Sequence, residues 1–447
     1  MKKTGRNLYR QRLLAIALPI IMNNIIAQLQ MIIDRIFLGH ANDLYMSALG
    51  NVSSPVWTTM SFCNSLVMGA SILISQSVGA GKREDIGEYA GAMMKYNNII
   101  PVFLCVFWLF FPKPVFTLLG VSDSVMSLCL SYVRWYAPLF LLTGLGGSLG
   151  VVLQTSNYTR PLVVYGLFRS GLNMFLDWVL IFGKFGMPEL GIEGAAIATV
   201  IAEYVGAIYI SVIYFTSKKL TTRPRWNDVK RGHFRSYLHS AKLGINIALE
   251  DFVWNIGNLI MIRILNSINE YAAGIYTIIF GVEVLAVVII GAIGSGTMTL
   301  TSEATGKRDL AQYKGTTLCA FGICVIVTLL MILGAVLFPE QILSLFTSDK
   351  AIIASSGIYL LMIGFNLFSK SGNIIVGNAI RGSGNTKWML YTQIFGTIWI
   401  VSVAAVFVFV CKLGILGVFL AVMVDEGVRA LINLWKYLRI VKEWKSA

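Results

Sequence analysis

Four polar residues in an otherwise apolar chain are spaced so that they could trap a small cation. Asn173 and Asp177 lie four residues apart in LNMFLDWVLIFG, which on a helix places them on one face. Asp34 stands near the end of an earlier apolar run. Thr199 stands about eight residues into a later one, roughly 12 Å along a helix at 1.5 Å per residue. If the four converge, two carboxyl groups share a desolvated pocket with neutral hydrogen-bonding partners. Burial and mutual repulsion then drive one carboxyl to take up a proton, and the pair can load and release it near neutral pH.

A second set of charges falls deeper within apolar runs. It comprises Glu250 and Asp251, Glu283, Glu203 and Glu426, with Asp425 beside the last, and Lys370 is the cation read as available to them. A charge at mid-bilayer costs about 2.5 to 3.5 kcal/mol on insertion scales, so each is expected to serve a function. The group suits a cationic ligand. Alternatively, Lys370 pairs with these carboxylates and ties their helices together. Glu250 and Asp251 project to different faces, so one cavity takes only one of them. Arg35 is expected to turn from Asp34 toward the outer surface. Pro19 removes a backbone hydrogen bond mid-helix and is a candidate hinge. Trp178, Trp254, Phe252 and Phe280 could stack on an organic cation, but they read as packing or lipid-facing residues.

The elements that must position these residues come from a duplication. Gly81-Lys82-Arg83-Glu84 returns as Gly306-Lys307-Arg308-Asp309, 225 residues on, and Phe111-Pro112 returns as Phe338-Pro339. Leu190-Gly191-Ile192 returns as Leu413-Gly414-Ile415, and Glu203 aligns with Glu426 at the same shift of 223. Pro19 aligns with Gly244, Asp34 with Leu259, and Glu250 with Ile25. The unmatched carboxylates are therefore the places to seek function. The reading is an amino-terminal lobe over 1–216, a linker over 217–234 and a carboxyl-terminal lobe over 235–447.

With 56% hydrophobic and 13% charged residues and a mean hydropathy of +0.72, the chain reads as an all-α polytopic membrane protein. Twelve spans are expected, near 12–38, 45–78, 89–112, 124–154, 161–183, 191–216, 235–265, 271–303, 315–338, 352–381, 388–411 and 414–441. They form two six-helix repeat lobes. The net charge of +14 does not indicate nucleic acid, because it gathers in every second loop: Lys2 to Arg12, Lys82 and Arg83, Arg160, Lys218 to Arg235, Lys307 and Arg308, Arg381 and Lys387, and Lys436 to Lys445. That pattern places both termini and the linker in the cytoplasm of a cell (inner) membrane protein. The first run is too long for a signal peptide, contains Asp34 and lacks a small-residue cleavage site.

Six cysteines lie within or at the ends of apolar runs with no CxxC pair, and read as small hydrophobes. His40, His233 and His239 lie in or beside loops, so no histidine metal cluster is expected. No nucleotide loop or nucleophile–base pair points to an enzyme.

SQ-x4-GKRED after span 2, LQ-x5-RP after span 4, LNMFLDWVLIFG at 172–183, LGIEGAAIAT at 190–199 and IRGSGNTK at 380–387 resemble the multidrug and toxic compound extrusion (MATE) family, particularly its bacterial and archaeal proton-coupled branch. The resemblance covers essentially the whole chain. It implies two six-helix lobes around a central cleft and a secondary active antiporter that exports small organic cations in exchange for H⁺ or Na⁺ by alternating access, with no further cofactor and as a monomer in the lipid bilayer. By the same resemblance, Asp34, Asn173, Asp177 and Thr199 match the amino-lobe cation site, Pro19 the kinked-helix proline and Glu250 the carboxyl-lobe acid. Glu283, Glu203 and Glu426 join Glu250 as the expected second acidic or substrate site. Span 10 holds no Asp where the sodium-coupled branch has one, and Tyr158 replaces the usual Gly or Asp of its loop. Na⁺ could still bind at Asp34 and Asp177 with the oxygens of Asn173 and Thr199. The alternatives are a flippase for lipid-linked precursors in the same wider superfamily, and a membrane receptor without transport.

Overall fold

Apolar runs of bilayer length become long helices, and prolines and glycines mark where they start and break. The computed structural model describes residues 3–446 except Glu270 and 346–349, with the side chains of residues 3–6, Asp43, Ala351 and Ser355 also outside the description. Lys2 of the basic amino terminus therefore lies outside it.

Two unbroken helices open the chain, α1 (Lys3–Ala41) and α2 (Asp43–Ala80). The third rod is broken into α3 (Arg83–Tyr96) and α4 (Ile99–Phe110), and the short α5 (Pro112–Leu118) follows. The fourth rod, α6 (Asp123–Tyr136) and α7 (Leu139–Thr155), bends by 43° around Pro138, which has no N–H to continue the ladder. Then come α8 (Pro161–Ile181), α9 (Gly191–Thr216) and the short α10 (Trp226–Arg231). The second repeat runs through α11 (Phe234–Asn266), α12 (Ala272–Lys307), α13 (Leu310–Leu337), the short α14 (Pro339–Ser344), α15 (Lys350–Gly382), α16 (Thr386–Ala405) and α17 (Gly414–Ser446).

Among the described residues nine helices are long and apolar enough to cross a membrane, or ten with the bent α6–α7 pair. The remaining long helices, α8 and α17, carry Arg169, Asn173 and Asp177, and Asp425, Glu426, Arg429 and Asn433, which lower their hydropathy. With them the described residues form twelve rods, consistent with the expected count. All six cysteines are free, and five are buried.

Local chemistry repeats where the sequence does. Pro112 and Pro339 occupy the first turns of α5 and α14, where a missing N–H costs nothing. Gly191 at φ +54° and Gly414 at φ +56° lead into α9 and α17 through left-handed backbone that glycine adopts without strain. A Cβ on Gly191 would also stand 2.4 Å from the Tyr45 hydroxyl.

The chain divides into two compact units. One comprises residues 1–17, 79–81 and 249–447; the other comprises 18–78 and 82–248. Helix α1 thus passes from one unit to the other just before Pro19, and its repeat counterpart α11 does so after Ala248. The whole 217–234 segment belongs to the amino unit. Arg12, in the first turns of α1, lies 2.6 Å from Glu303 of α12 within the carboxyl unit, and Lys307 holds the same carboxylate.

Within the amino unit, α2 and α11 touch backbone to backbone. A Cβ on Gly69 would lie 2.0 Å from the Ser240 carbonyl oxygen, and one on Gly244 would lie 2.5 Å from that of Leu66. Such glycine contacts are how membrane helices approach closely. Gly69→Ala is therefore expected to destabilise the protein by about 1 to 3 kcal/mol, the usual cost of overpacking. Gly150→Ala, where nothing lies within 4 Å, is the neutral comparison. Thermal unfolding of both variants in detergent checks this.

Candidate ion and ligand sites

In the amino unit three helices present polar stripes at four-residue spacing: Gln30 and Asp34 on α1, Arg169, Asn173 and Asp177 on α8, and Thr199 and Glu203 on α9. Small residues let α8 and α9 pack closely enough for these stripes to meet. A Cβ on Gly194 would fall 2.7 Å from the Leu180 carbonyl, and one on Gly206 would fall 2.6 Å from the Tyr165 ring.

The structure brings Asp34, Asn173, Asp177 and Thr199 into one cluster. Asn173 and Asp177 are fully buried. Asn173 Nδ2 donates to Thr199 Oγ1 at 3.3 Å, while the Asp177 carboxyl faces that of Asp34 with the Asn173 amide beside it. Among the described residues no donor in strict hydrogen-bonding geometry reaches Asp34 Oδ1, Asn173 Oδ1 or either carboxyl oxygen of Asp177. Four buried acceptors without donors are costly to maintain, and a proton or a hard cation is what oxygens so arranged attract. Arg35 is exposed at the rim of the neighbouring cavity and forms no ion pair with Asp34.

Glu203, grouped from sequence with the midplane acids, lies instead on α9 one turn beyond Thr199, in the amino unit. Repeat equivalence gave it a place like that of Glu426, not the same place. It pairs with Arg169 and accepts from the Tyr165 hydroxyl at 2.5 Å. Ser170 Oγ, next to Arg169, donates to Gln30 Oε1 at 2.8 Å. Arg169 was missed by the sequence reading, although its place four residues before Asn173 was a visible signal.

A cavity of about 680 Å³ opens beside this cluster, within the size range of small-molecule sites. Asp34, Arg169, Glu203, Tyr132, Tyr136 and Trp57 line it among other residues. Aromatic faces next to a carboxylate suit an organic cation.

The carboxyl unit is different. Lys370 Nζ lies 2.7 Å from Glu283 and 3.7 Å from Glu426. Arg429 lies 2.7 Å from Asp425 and 3.2 Å from Glu426, and Arg381 lies 2.5 Å from Glu250. Asn373 donates to Glu426 at 3.0 Å, and Gln393 accepts from Arg429 at 2.9 Å. Lys370 is thus not the lone cation: Arg381, assigned from sequence to a loop, and Arg429, four residues after Asp425, share the task.

The acidic group expected to await a cationic ligand is largely neutralised and joins α11, α12, α15, α16 and α17. The space beside it is about 40 Å³, room for water-sized occupants. Trp254 and Phe280 line it with rings 6.3 Å apart, while Trp178 and Phe252 are exposed. Asp251 is half-buried. Pro19 is buried within an α1 that continues through it.

Two repeats of long apolar helices, with a buried carboxyl pair beside a ligand-sized cavity, define a multi-pass membrane transporter. The chain belongs to the MatE family, whose model matches residues 19–179 and 247–408, one copy in each repeat. A probable multidrug resistance protein NorM from Thermotoga maritima is 28% identical over 446 residues, covering 96% of this chain and 92% of the relative. The uncharacterized transporter YisQ of Bacillus subtilis is 23% identical, covering 92% and 89%. A solved MATE structure in a bent conformation shares the fold at a TM-score of 0.90 and 19% identity, covering 100% of this chain and 99% of the other. A MOP superfamily transporter from Pyrococcus furiosus, described as having a binding pocket of reversed polarity, does so at 0.88 and 19%, covering 98% and 97%.

Proposed function

We propose that the protein is a secondary active multidrug efflux antiporter that exports small organic cations in exchange for protons, or for Na⁺, by alternating access. The observation that carries this reading is the set of four donorless oxygens on Asp34, Asn173 and Asp177. The names of its relatives, multidrug resistance proteins among them, support the substrate class.

Asp34 does double service. It faces Asp177 and also lines the cavity, so its charge is felt by the ion and by the drug. An ion loaded between the two carboxyls removes negative charge from the cavity wall and weakens the hold on a cationic drug. The drug, once bound, weakens the hold on the ion to the same degree. Asp177 is the buried ion-binding carboxyl, and Asn173 and Thr199 are its neutral partners. Arg169 keeps Glu203 compensated. The exchange gains direction only if the two conformations bind the ion differently, and Pro19, at the junction of the units, is the hinge we assign to that change. Glu250, Glu283 and Glu426 act as scaffold. Both termini lie in the cytoplasm.

Proteoliposomes loaded with tetraphenylphosphonium, with pH and Na⁺ gradients imposed separately, test the reading. Uphill movement of the cation under one gradient is the expected result. Movement that ignores both gradients overturns antiport.

A further inference from the structure

The segment between the repeats is built as a mounted strap, whereas a flexible tether would need no such fixing. Arg83 of α3 donates to the carbonyls of Thr221 at 2.7 Å and Arg223 at 3.0 Å. Lys95, at the far end of α3, reaches those of Lys230 at 3.2 Å and Gly232 at 3.4 Å. Thr222 is fully buried, with its hydroxyl 2.8 Å from those of Thr155 and Ser156. Gly91 lets α10 settle on α3, since a Cβ there would lie 2.4 Å from the Asp228 carbonyl oxygen. All these residues belong to the amino unit.

The charged side chains that the strap exposes are all cationic. Lys218, Lys219, Arg225, Lys230, Arg231 and Arg235 are exposed. The only acid in the segment, Asp228, is turned inward: its Oδ2 accepts from the Arg225 N–H at 2.7 Å, and its carboxyl packs over Gly87. Exposed aromatics stand among the cations. Trp226 is 71% exposed with Lys230 Nζ 5.7 Å from its ring, and Phe215 and Phe234 flank the strap at the ends of α9 and α11. The strap joins two helices long and apolar enough to cross a membrane, so headgroup level is its expected depth. Tryptophan beside lysine and arginine is the pairing suited to that layer, with the ring in the interface and the charges on phosphates.

We propose that this strap is a binding surface for anionic phospholipid headgroups and fixes the amino unit to the membrane surface. A nucleic acid or an acidic peptide would satisfy the charges. Neither would account for exposed rings between two spans. Each cation near an anionic surface strengthens the attraction by about fivefold. The inference holds whichever ion or drug is moved.

The test uses the full-length protein in nanodiscs of phosphatidylglycerol or phosphatidylcholine with brominated acyl chains. The part of the tryptophan emission that is lost in Trp226→Phe should be quenched more strongly in phosphatidylglycerol, and the excess should fall as salt is raised. Native mass spectrometry should show preferential retention of phosphatidylglycerol by the wild type. That preference should drop at least about tenfold when Lys218, Lys219, Lys230 and Arg231 are all changed to Gln, and should persist when the three lysines become Arg. Equal quenching of Trp226 in the two lipids overturns the proposal. So does unchanged retention by a folded Gln variant.

Discussion

Asp177→Asn is expected to abolish ion-coupled drug efflux while leaving the protein folded and at least as stable as the wild type. Both Asp177 oxygens are buried without a donor and face the Asp34 carboxyl. Asparagine is nearly isosteric, brings an N–H₂ that can donate to Asp34, and removes one of two neighbouring acids, so the folded state loses an unfavourable contact. The same change removes the carboxyl proposed to take up the ion. Asp34→Asn should act alike on coupling and should also weaken drug binding, because Asp34 lines the cavity. Gradient-driven uptake in proteoliposomes, together with thermal unfolding of the same samples, checks both halves. Loss of folding with loss of transport would mean that the pair is structural.

Lys370→Met is expected to have the opposite signature. Its ammonium lies 2.7 Å from Glu283, which is 2% exposed, and no other basic side chain among the described residues comes within ion-pair distance of that carboxylate. Removing the lysine strands a buried negative charge, a change that usually costs about 3 to 5 kcal/mol. The double variant Lys370→Met with Glu283→Gln should recover most of the loss, because no uncompensated charge is left behind. Glu426 keeps Arg429 and Asn373 in either case. Thermal unfolding in detergent reads the effect. A stable Lys370→Met protein with altered drug affinity would instead make this group a ligand site.

Much of this architecture was legible because its determinants are local. Length and apolarity mark the rods, the duplicated GKRE and LGI segments mark the repeats, and the four-residue spacing of Asn173 and Asp177 marks a shared face. The breaks inside the third and fourth rods went unread, although Asn97-Asn98 with Pro101 stand at the first and Pro138 at the second. Asn97 pins the first break by donating to the Gly144 carbonyl at 2.9 Å, a partner 47 residues away that its place in the sequence does not reveal. The fate of the second acidic group was also hidden. Depth along a helix can be counted from sequence, but the neighbour it faces cannot. Glu203 thus went with the wrong partners, and Arg381 and Arg429 went unread as counter-charges. The spacing of Arg429 was the available signal, since it stands one helical turn after Asp425 and Glu426.

In the proposed mechanism Asp34 and Asp177 hold the coupling ion and drug binding displaces it. Titrating the purified protein with tetraphenylphosphonium calorimetrically, in buffers of different ionisation enthalpy and with and without Na⁺, counts the protons and detects the Na⁺ released as the drug binds. The wild type is expected to release one or the other, and Asp177→Asn, which should still bind the drug, to release neither. The same ion release from Asp177→Asn as from the wild type would contradict it.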